Sequence, residues 1–282
     1  MIRNAAKHRK TLPTDLATVF SSRQQELERA AAAVARNPSA SAVHRTRVAA
    51  RRLRALLSAL GEHKSRVEVR RYRRDLRSLA LELAAVRQAD VMRDEMLETL
   101  TKLDSGEVPA RRKVRVLLER ECGLARRQFS AHAHSLAWQE RLQRLQRSSS
   151  ELQALLGHVR DGQGLARTMI VNSAQAFWRA RRRGNGSWQD LHRIRIHAKS
   201  HRYVVDALAP LVDLDARQFS VTARTVQHGI GRHLDARAAR KWLSSHEEPV
   251  SATLAKDAAQ WLRNAGRRSL KEAKRGLRSW SA

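Results

Sequence analysis

Apolar positions recur along this chain three and four residues apart, and almost every segment reads as helix. The first helix is predicted from Thr14, just after Pro13, through an Ala-rich stretch to Arg36. Asn37-Pro38 ends it, because a residue preceding proline disfavours the helical region. A second helix runs from about Ser41 to Leu60, and Gly61 sits where a C-terminal cap glycine belongs. A long third helix is predicted from Ser65 to Leu103, closed by Asp104-Ser105-Gly106. Pro109 opens a fourth that reaches His132, and Leu136 to Val159 reads as a helix joining two halves. The Gly-containing stretch Arg160 to Gly164 reads as a break.

The second half follows the same plan. Helices are predicted from Leu165 to Arg182, ended by Gly184-Asn185-Gly186, and from Trp188 to Ala209, stopped by Pro210. The next starts near Ala216, with an interruption expected at Gly229 and Gly231. Pro249 opens the last stretch, which runs to Trp280 with a break expected at Gly266. No segment alternates as a half-buried strand does, and twelve Gly and five Pro are too few for many tight turns. The fold class is therefore all-α.

An internal repeat sharpens this plan. Residues 43–57 read VHRTRVAARRLRALL and residues 191–205 read LHRIRIHAKSHRYVV. At an offset of 148, His44 aligns with His192, Arg45 with Arg193, Arg47 with Arg195, Arg51 with Lys199, and Arg54 with Arg202. At about 100° per residue, His44, Arg47, Arg51 and Arg54 fall within roughly 80° of one another. Ala49, Leu53, Leu56 and Leu60 take the opposite side. His192, Arg195, Lys199 and Arg202 form the matching ladder, opposite His197, His201, Val204 and Leu208. Each ladder spans about 15 Å of helix axis. Four close cations on a rigid helix repel one another unless an anion lies across them. Arginine forks match phosphate oxygens in bidentate fashion, lysine adds a point charge, and histidine donates more strongly when protonated.

Composition agrees with an anionic partner. Lys and Arg number 56 against 27 Asp and Glu, giving a net charge of +29 over 282 residues. All but ten of those cations are arginine, so many are expected to be ordinary surface residues. One cysteine, Cys122, allows no internal disulfide and suits a reducing compartment. No apolar run approaches the roughly 18 residues of a membrane span, and no secretory signal is evident. Only twelve residues are aromatic, which counts against base-stacking platforms.

The two repeated segments resemble the signature helices of CHAD domains (conserved histidine α-helical domains). Leu83-Ala84-Ala85-Val86-Arg87-Gln88-Ala89-Asp90-Val91 is similar to the family's LGxxRDxDV segment, with Ala84 for Gly and Gln88 for the first Asp. Ile230 to Ala236 stands as its counterpart in the second half. The resemblance runs from about Pro13 to Trp280. It implies two similar helical bundles about a pseudo-twofold axis, with the signature helices lining a basic groove or cavity. It implies binding of inorganic polyphosphate, and a cytoplasmic protein able to sit on polyphosphate granules. The chain then divides into a basic tail, 1–12, and a stand-alone CHAD domain, 13–282. Within it the halves are about 13–135 and 160–282, joined by 136–159.

The expected polyphosphate-binding residues are His44, Arg45, Arg47, Arg51, Arg52, Arg54, His192, Arg193, Arg195, Lys199 and Arg202. Arg77 and Arg224, at an offset of 147, are added as possible continuations of the groove wall. His44 and His192 are expected to tighten binding below about pH 6.5, where imidazole protonates. The alternative readings are a nucleic-acid-binding protein using the same basic surface, with nonspecific binding expected at low salt in any case, and a granule-associated scaffold. No membrane insertion, cofactor, metal site or enzymatic activity is expected. His197 and His201 have a metal-compatible spacing but read as core histidines. Glu82, Asp90, Asp94, Glu95 and Glu98 read as ion-pair partners, Asp90 and Asp235 also as groups that orient the ladders, and Trp178 and Trp188 as packing residues. Neither a P-loop nor a GxSxG nucleophile motif is present, and Cys122 has no companion motif.

Overall fold

The computed structural model describes residues 15–61, 66–103, 107–183, 187–246 and 250–279, without the side chains of 216–220 and 279. The basic tail 1–12, Pro13, Asp104-Ser105-Gly106, Gly184-Asn185-Gly186 and Pro249 lie outside the described residues. Every regular element described is helical. In chain order these are α1 (Leu16–Arg36), α2 (Ala40–Ala59), α3 (Val67–Glu82), α4 (Ala84–Thr101) and α5 (Val108–Ala133). Then follow α6 (Leu136–Gly157), α7 (Gly162–Arg182), α8 (Trp188–Leu208), a 3-10 turn (Ala209–Leu211), α9 (Ala216–Ser244) and α10 (Ala252–Ser279).

Local chemistry explains most boundaries. Asp15, Ser39, Ser135, Asp161 and Ser187 each accept a backbone N–H at the start of a helix. Asp161 bonds Gly164 N, so α7 starts inside the stretch expected to be a break. Gly61 takes φ +63°, the left-handed conformation that terminates α2 without a Cβ penalty.

Two expectations about continuity need correcting. The long third helix breaks at Leu83, which has φ −88°, ψ 3° and is fully buried. Before the break the chain packs on α2 and α6; after it the chain packs on α5 and α9. Neither Gly nor Pro marks the change of direction. Conversely, α9 and α10 run unbroken through Gly229, Gly231 and Gly266. A Cβ on Gly229 would lie 2.5 Å from the Ser269 carbonyl oxygen, and one on Gly266 3.4 Å from the Ala236 Cβ. These glycines let two long helices approach closely.

Three apolar cores hold the helices. The largest joins α1, α2, α3 and α6 to the start of α7 and the end of α8, around Phe20, Leu53, Leu56, Tyr72 and Trp138. α6 contributes Trp138, Leu145, Leu152 and Leu156 to this core. A second core packs α4 and α5 against α9 and α10, through Met96, Leu118, Leu243 and Leu262. The third gathers α7, α8, α9 and α10 around Phe177, Ile194 and Ile230. Two of the three cores therefore mix helices from before and after α6.

Candidate anion-binding site

α2 and α8 pack directly against each other. Ser39 caps α2 by accepting from Ala42 N, and Ser187 caps α8 by accepting from Asp190 N. The two caps stand at the same 148-residue offset as the ladders. Thr46 anchors α2 to α1 by donating to the Ala30 carbonyl at 2.9 Å. The ladder faces then meet. Arg51 of α2 lies in the field of Arg195 and Arg202 of α8, and Lys199 of α8 in that of Arg51. Arg87, from α4, joins them beside His44, Arg47 and Arg51.

Electrostatics mark this cluster as uncompensated. Burial pushes the Lys199 ammonium down to about 7; Arg195, Arg51 and Arg202 add to this, and Asp235 opposes it. Burial, then Arg51 and Arg87, bring Arg47 down to about 10. Burial is also the leading cause that lowers Arg51, against a partial offset from Tyr203. Arg54 is lowered by burial and then by Arg73, Arg77 and Arg51. Arg47, Arg51, Arg54, Arg195 and Lys199 form no salt bridge among the described residues. The Nε atoms of Arg47 and Arg195 are buried without a hydrogen-bond partner, although Arg47 Nη1 donates to the Ala80 carbonyl. A buried unpaired donor costs about 1–3 kcal/mol, more when charged, unless a ligand satisfies it. Gly231 makes room for Arg195: a Cβ there would lie 3.2 Å from Arg195 Nε.

The carboxylates are engaged elsewhere. Glu82 pairs with Arg141 at 2.9 Å, Asp90 with Arg126, Asp94 with Arg93 at 2.8 Å, and Glu98 with Arg232 at 2.8 Å. Asp90 is fully buried and also acts on Arg93 and Arg87. Asp235 acts on Lys199, so both aspartates touch the electrostatics of the ladder cluster.

The remaining sequence candidates scatter around this centre. Arg202 stacks over Tyr203 at 4.6 Å, bonds Asp206 at 2.8 Å and reaches Gln227 at 3.2 Å. Arg77 is exposed on α3, close enough to act on Arg54, as does Arg73. Arg224 is exposed on α9, one turn before Gln227. Arg45 and Arg193 stand off the ladder face, and Arg52 lies over the Tyr203 ring of α8, 6.0 Å from its centroid. Arg52 pairs with Glu26 of α1, Arg45 lines a depression with Glu26 and Arg29, and Arg193 bonds Asp190 at 3.0 Å. The ladder histidines also differ from expectation. Burial first, and then the surrounding cations, lower the pKa of both His44 and His192, so in the free protein they protonate below 6.5.

His201 is fully buried at the α7–α8 contact. Ser173 Oγ donates to the Ile170 carbonyl at 2.7 Å, leaving its oxygen to accept from His201 Nδ1 at 2.8 Å. Burial depresses His201 to about 4. His197 is only half-buried. Trp188, expected as a packing residue, is 41% exposed and lies against His192, ring centroids 5.9 Å apart. Arg87 is the main residue of the cluster absent from the sequence candidates. Its signal was the LAAVRQADV segment itself.

The CHAD-domain pattern matches residues 18–244, most of the chain. The chain belongs to the CHAD-domain family. Two solved structures share its fold. The crystal structure of the CHAD domain from the plant Ricinus communis superposes with a TM-score of 0.71 at 21% identity, covering 95% of this chain and 93% of that one. PptA from Streptomyces chartreusis superposes with a TM-score of 0.65 at 17% identity, covering 93% and 97%. A comparison with curated protein sequences finds no match. As a CHAD domain the chain places its two signature helices, α2 and α8, side by side, and α10 completes the fold beyond the matched residues. No described helix is long and apolar enough to cross a membrane.

Proposed function

We propose that this CHAD domain is a binding protein for inorganic polyphosphate, without catalytic activity of its own. The site is the cluster of Arg47, Arg51, Arg54, Arg87, Arg195, Lys199 and Arg202, with His44 and His192 at its rim. The observation that carries this reading is the convergence of two cationic ladders in which Arg47, Arg51, Arg54, Arg195 and Lys199 carry no salt bridge among the described residues, with the Nε atoms of Arg47 and Arg195 buried and unpartnered. A linear polymer with a charge on every unit satisfies such a row; a single small anion does not. Family membership points the same way, since CHAD domains resemble one another in their signature helices and are polyphosphate binders as a class. The two halves are read as products of an internal duplication, which the matching caps and ladders support. A location on polyphosphate granules follows from the same ligand.

Affinity should fall steeply with salt, by analogy with nucleic acids, where each phosphate contact lowers the log–log slope by about 0.7–0.9. The test is a combined Arg47→Ala, Arg51→Ala, Arg195→Ala, Lys199→Ala variant. It should lose binding to long-chain polyphosphate while its helical circular dichroism persists. Unchanged affinity sinks the site. Efficient displacement of polyphosphate by DNA or RNA, at equal phosphate concentration and physiological salt, would favour nucleic acid as the partner instead.

A further inference from the structure

A second cationic cleft opens on the other side of α9. His233, Arg237, Arg240 and Lys241 form one wall, and Arg263 of α10 stands opposite. The cleft measures about 740 Å³, and its lining includes no carboxylate. Positions 233, 237, 240 and 241 share one face of α9. Gly231 and Asp235, which meet Arg195 and Lys199, lie roughly half a turn around the helix from it. The cleft is therefore separate from the ladder cluster. Its cations also crowd one another: after burial, Arg263, Arg267 and Arg237 each lower the proton affinity of Arg240.

Trp188 connects the two sites. It stands four residues before His192 and so continues the ladder row of α8 by one turn. Its ring lies 5.9 Å from that of His192, and the Arg237 guanidinium sits 4.9 Å from its centroid. A polyanion leaving the ladders past His192 meets Arg237 next, and Arg240, Lys241 and Arg263 beyond it. The stacked Arg237 is held in place by the ring, which lowers the entropy lost when it grips a ligand.

We propose that the Arg237–Arg240–Lys241–Arg263 cleft is a second phosphate-polymer site, occupied by the part of a long polyphosphate chain that runs over Trp188 from the ladders. This rests on the polyphosphate reading of the ladder cluster and adds a consequence to it. Long chains engage both sites and short ones only the ladders. Tethering then makes the second contact intramolecular, so long chains gain affinity without any change at the first site.

The experiment compares tripolyphosphate with long-chain polyphosphate on the full chain, using a combined Arg237→Ala, Arg240→Ala, Arg263→Ala variant. The expected result is unchanged affinity for tripolyphosphate and a loss of about tenfold or more for the long chain. The salt slope for the long chain should fall by about two, three contacts at roughly 0.7–0.9 each. Arg240→Glu, a single exposed change, should show the same selectivity and guards against misfolding of the triple variant. Equal long-chain affinity in the wild type and in both variants overturns the proposal. An equal loss for both probes also overturns it, since the cleft would then act on the ladder site. Failure of the wild-type chain to bind either probe refutes the ladder reading instead, which is a separate outcome.

Discussion

Replacing Lys199 by arginine separates the charge of the ladder cluster from its capacity to take up a proton. In the free protein, burial and the cations Arg195, Arg51 and Arg202 hold Lys199 near 7, with only Asp235 opposing them; its ordinary value is 10.5. His44 also lies in the field of Lys199, but it titrates below 6.5 and stays neutral at pH 8. At pH 8, Lys199 is therefore about one-tenth protonated. A polyphosphate chain across the ladders restores the ammonium, so binding takes up about 0.9 proton. Affinity should then fall as pH rises, since free hydroxide competes for the same proton. Between pH 7 and pH 9 the expected loss is about fiftyfold, ~2 kcal/mol. Lys199→Arg remains charged throughout that range, so its affinity should stay nearly flat. Calorimetric titrations in buffers of different ionisation enthalpy measure the proton uptake, and the same titrations across pH give the affinity. Wild-type binding without proton uptake at pH 8, or an equal pH dependence in Lys199→Arg, would refute the reasoning.

Two glycines two residues apart, on opposite sides of α9, should respond in opposite ways to alanine. In Gly231→Ala the new Cβ displaces only the Arg195 side chain, so thermal stability holds or rises by up to about 1 kcal/mol while polyphosphate affinity drops severalfold. In Gly229→Ala the Cβ meets the Ser269 carbonyl and Ala273, and unfolding titrations should show a loss of about 1–3 kcal/mol. Acid should weaken the fold through His201. The unfolded chain binds this proton near pH 6.5 and the fold only near 4, so stability present above 6.5 is lost as pH falls between those values, by about 3 kcal/mol. His201→Gln should flatten that decline in urea titrations at pH 7 and 4.5; a decline as large as in the wild type would clear His201 of the effect.

The ladders were legible because helical periodicity and a repeat place the same charges on the same face twice. Repetition does not by itself say which face. Arg45, Arg52 and Arg193 recur or flank the repeat, yet they sit some 80–100° off the ladder and turn towards Glu26 or Asp190. Arg87 escaped because it stands alone on α4, with no partner at ladder spacing; only the tertiary packing of α4 brings it to Arg51. The break at Leu83 was invisible for a related reason. Its sequence is as helical as its neighbours, and the chain turns there to serve a second core. Gly229 and Gly266 carry the reverse lesson: glycine inside a helical pattern marks a break or a close approach, and only the identity of the neighbouring helix decides between them.

The total charge says less about function than where the negative charges are placed. A folded chain with this excess of arginine could tie its carboxylates to any of its cations. Here Glu26 goes to Arg52, Glu82 to Arg141, Asp90 to Arg126 and Glu98 to Arg232, none of them a ladder cation. Those pairs join α1 to α2, α3 to α6, α4 to α5 and α4 to α9. Around Lys199 one carboxylate, Asp235, opposes Arg51, Arg195 and Arg202, and Arg202 is itself paired with Asp206. Such crowding raises the energy of the free state, and a phosphate chain laid across it would lower it again. Because the cations are held by α2, α4 and α8 before any ligand arrives, little ordering entropy remains to oppose binding. Arginine bias alone would explain a charged surface, but it would not explain why Arg47, Arg51, Arg54, Arg195 and Lys199 carry no salt bridge among the described residues.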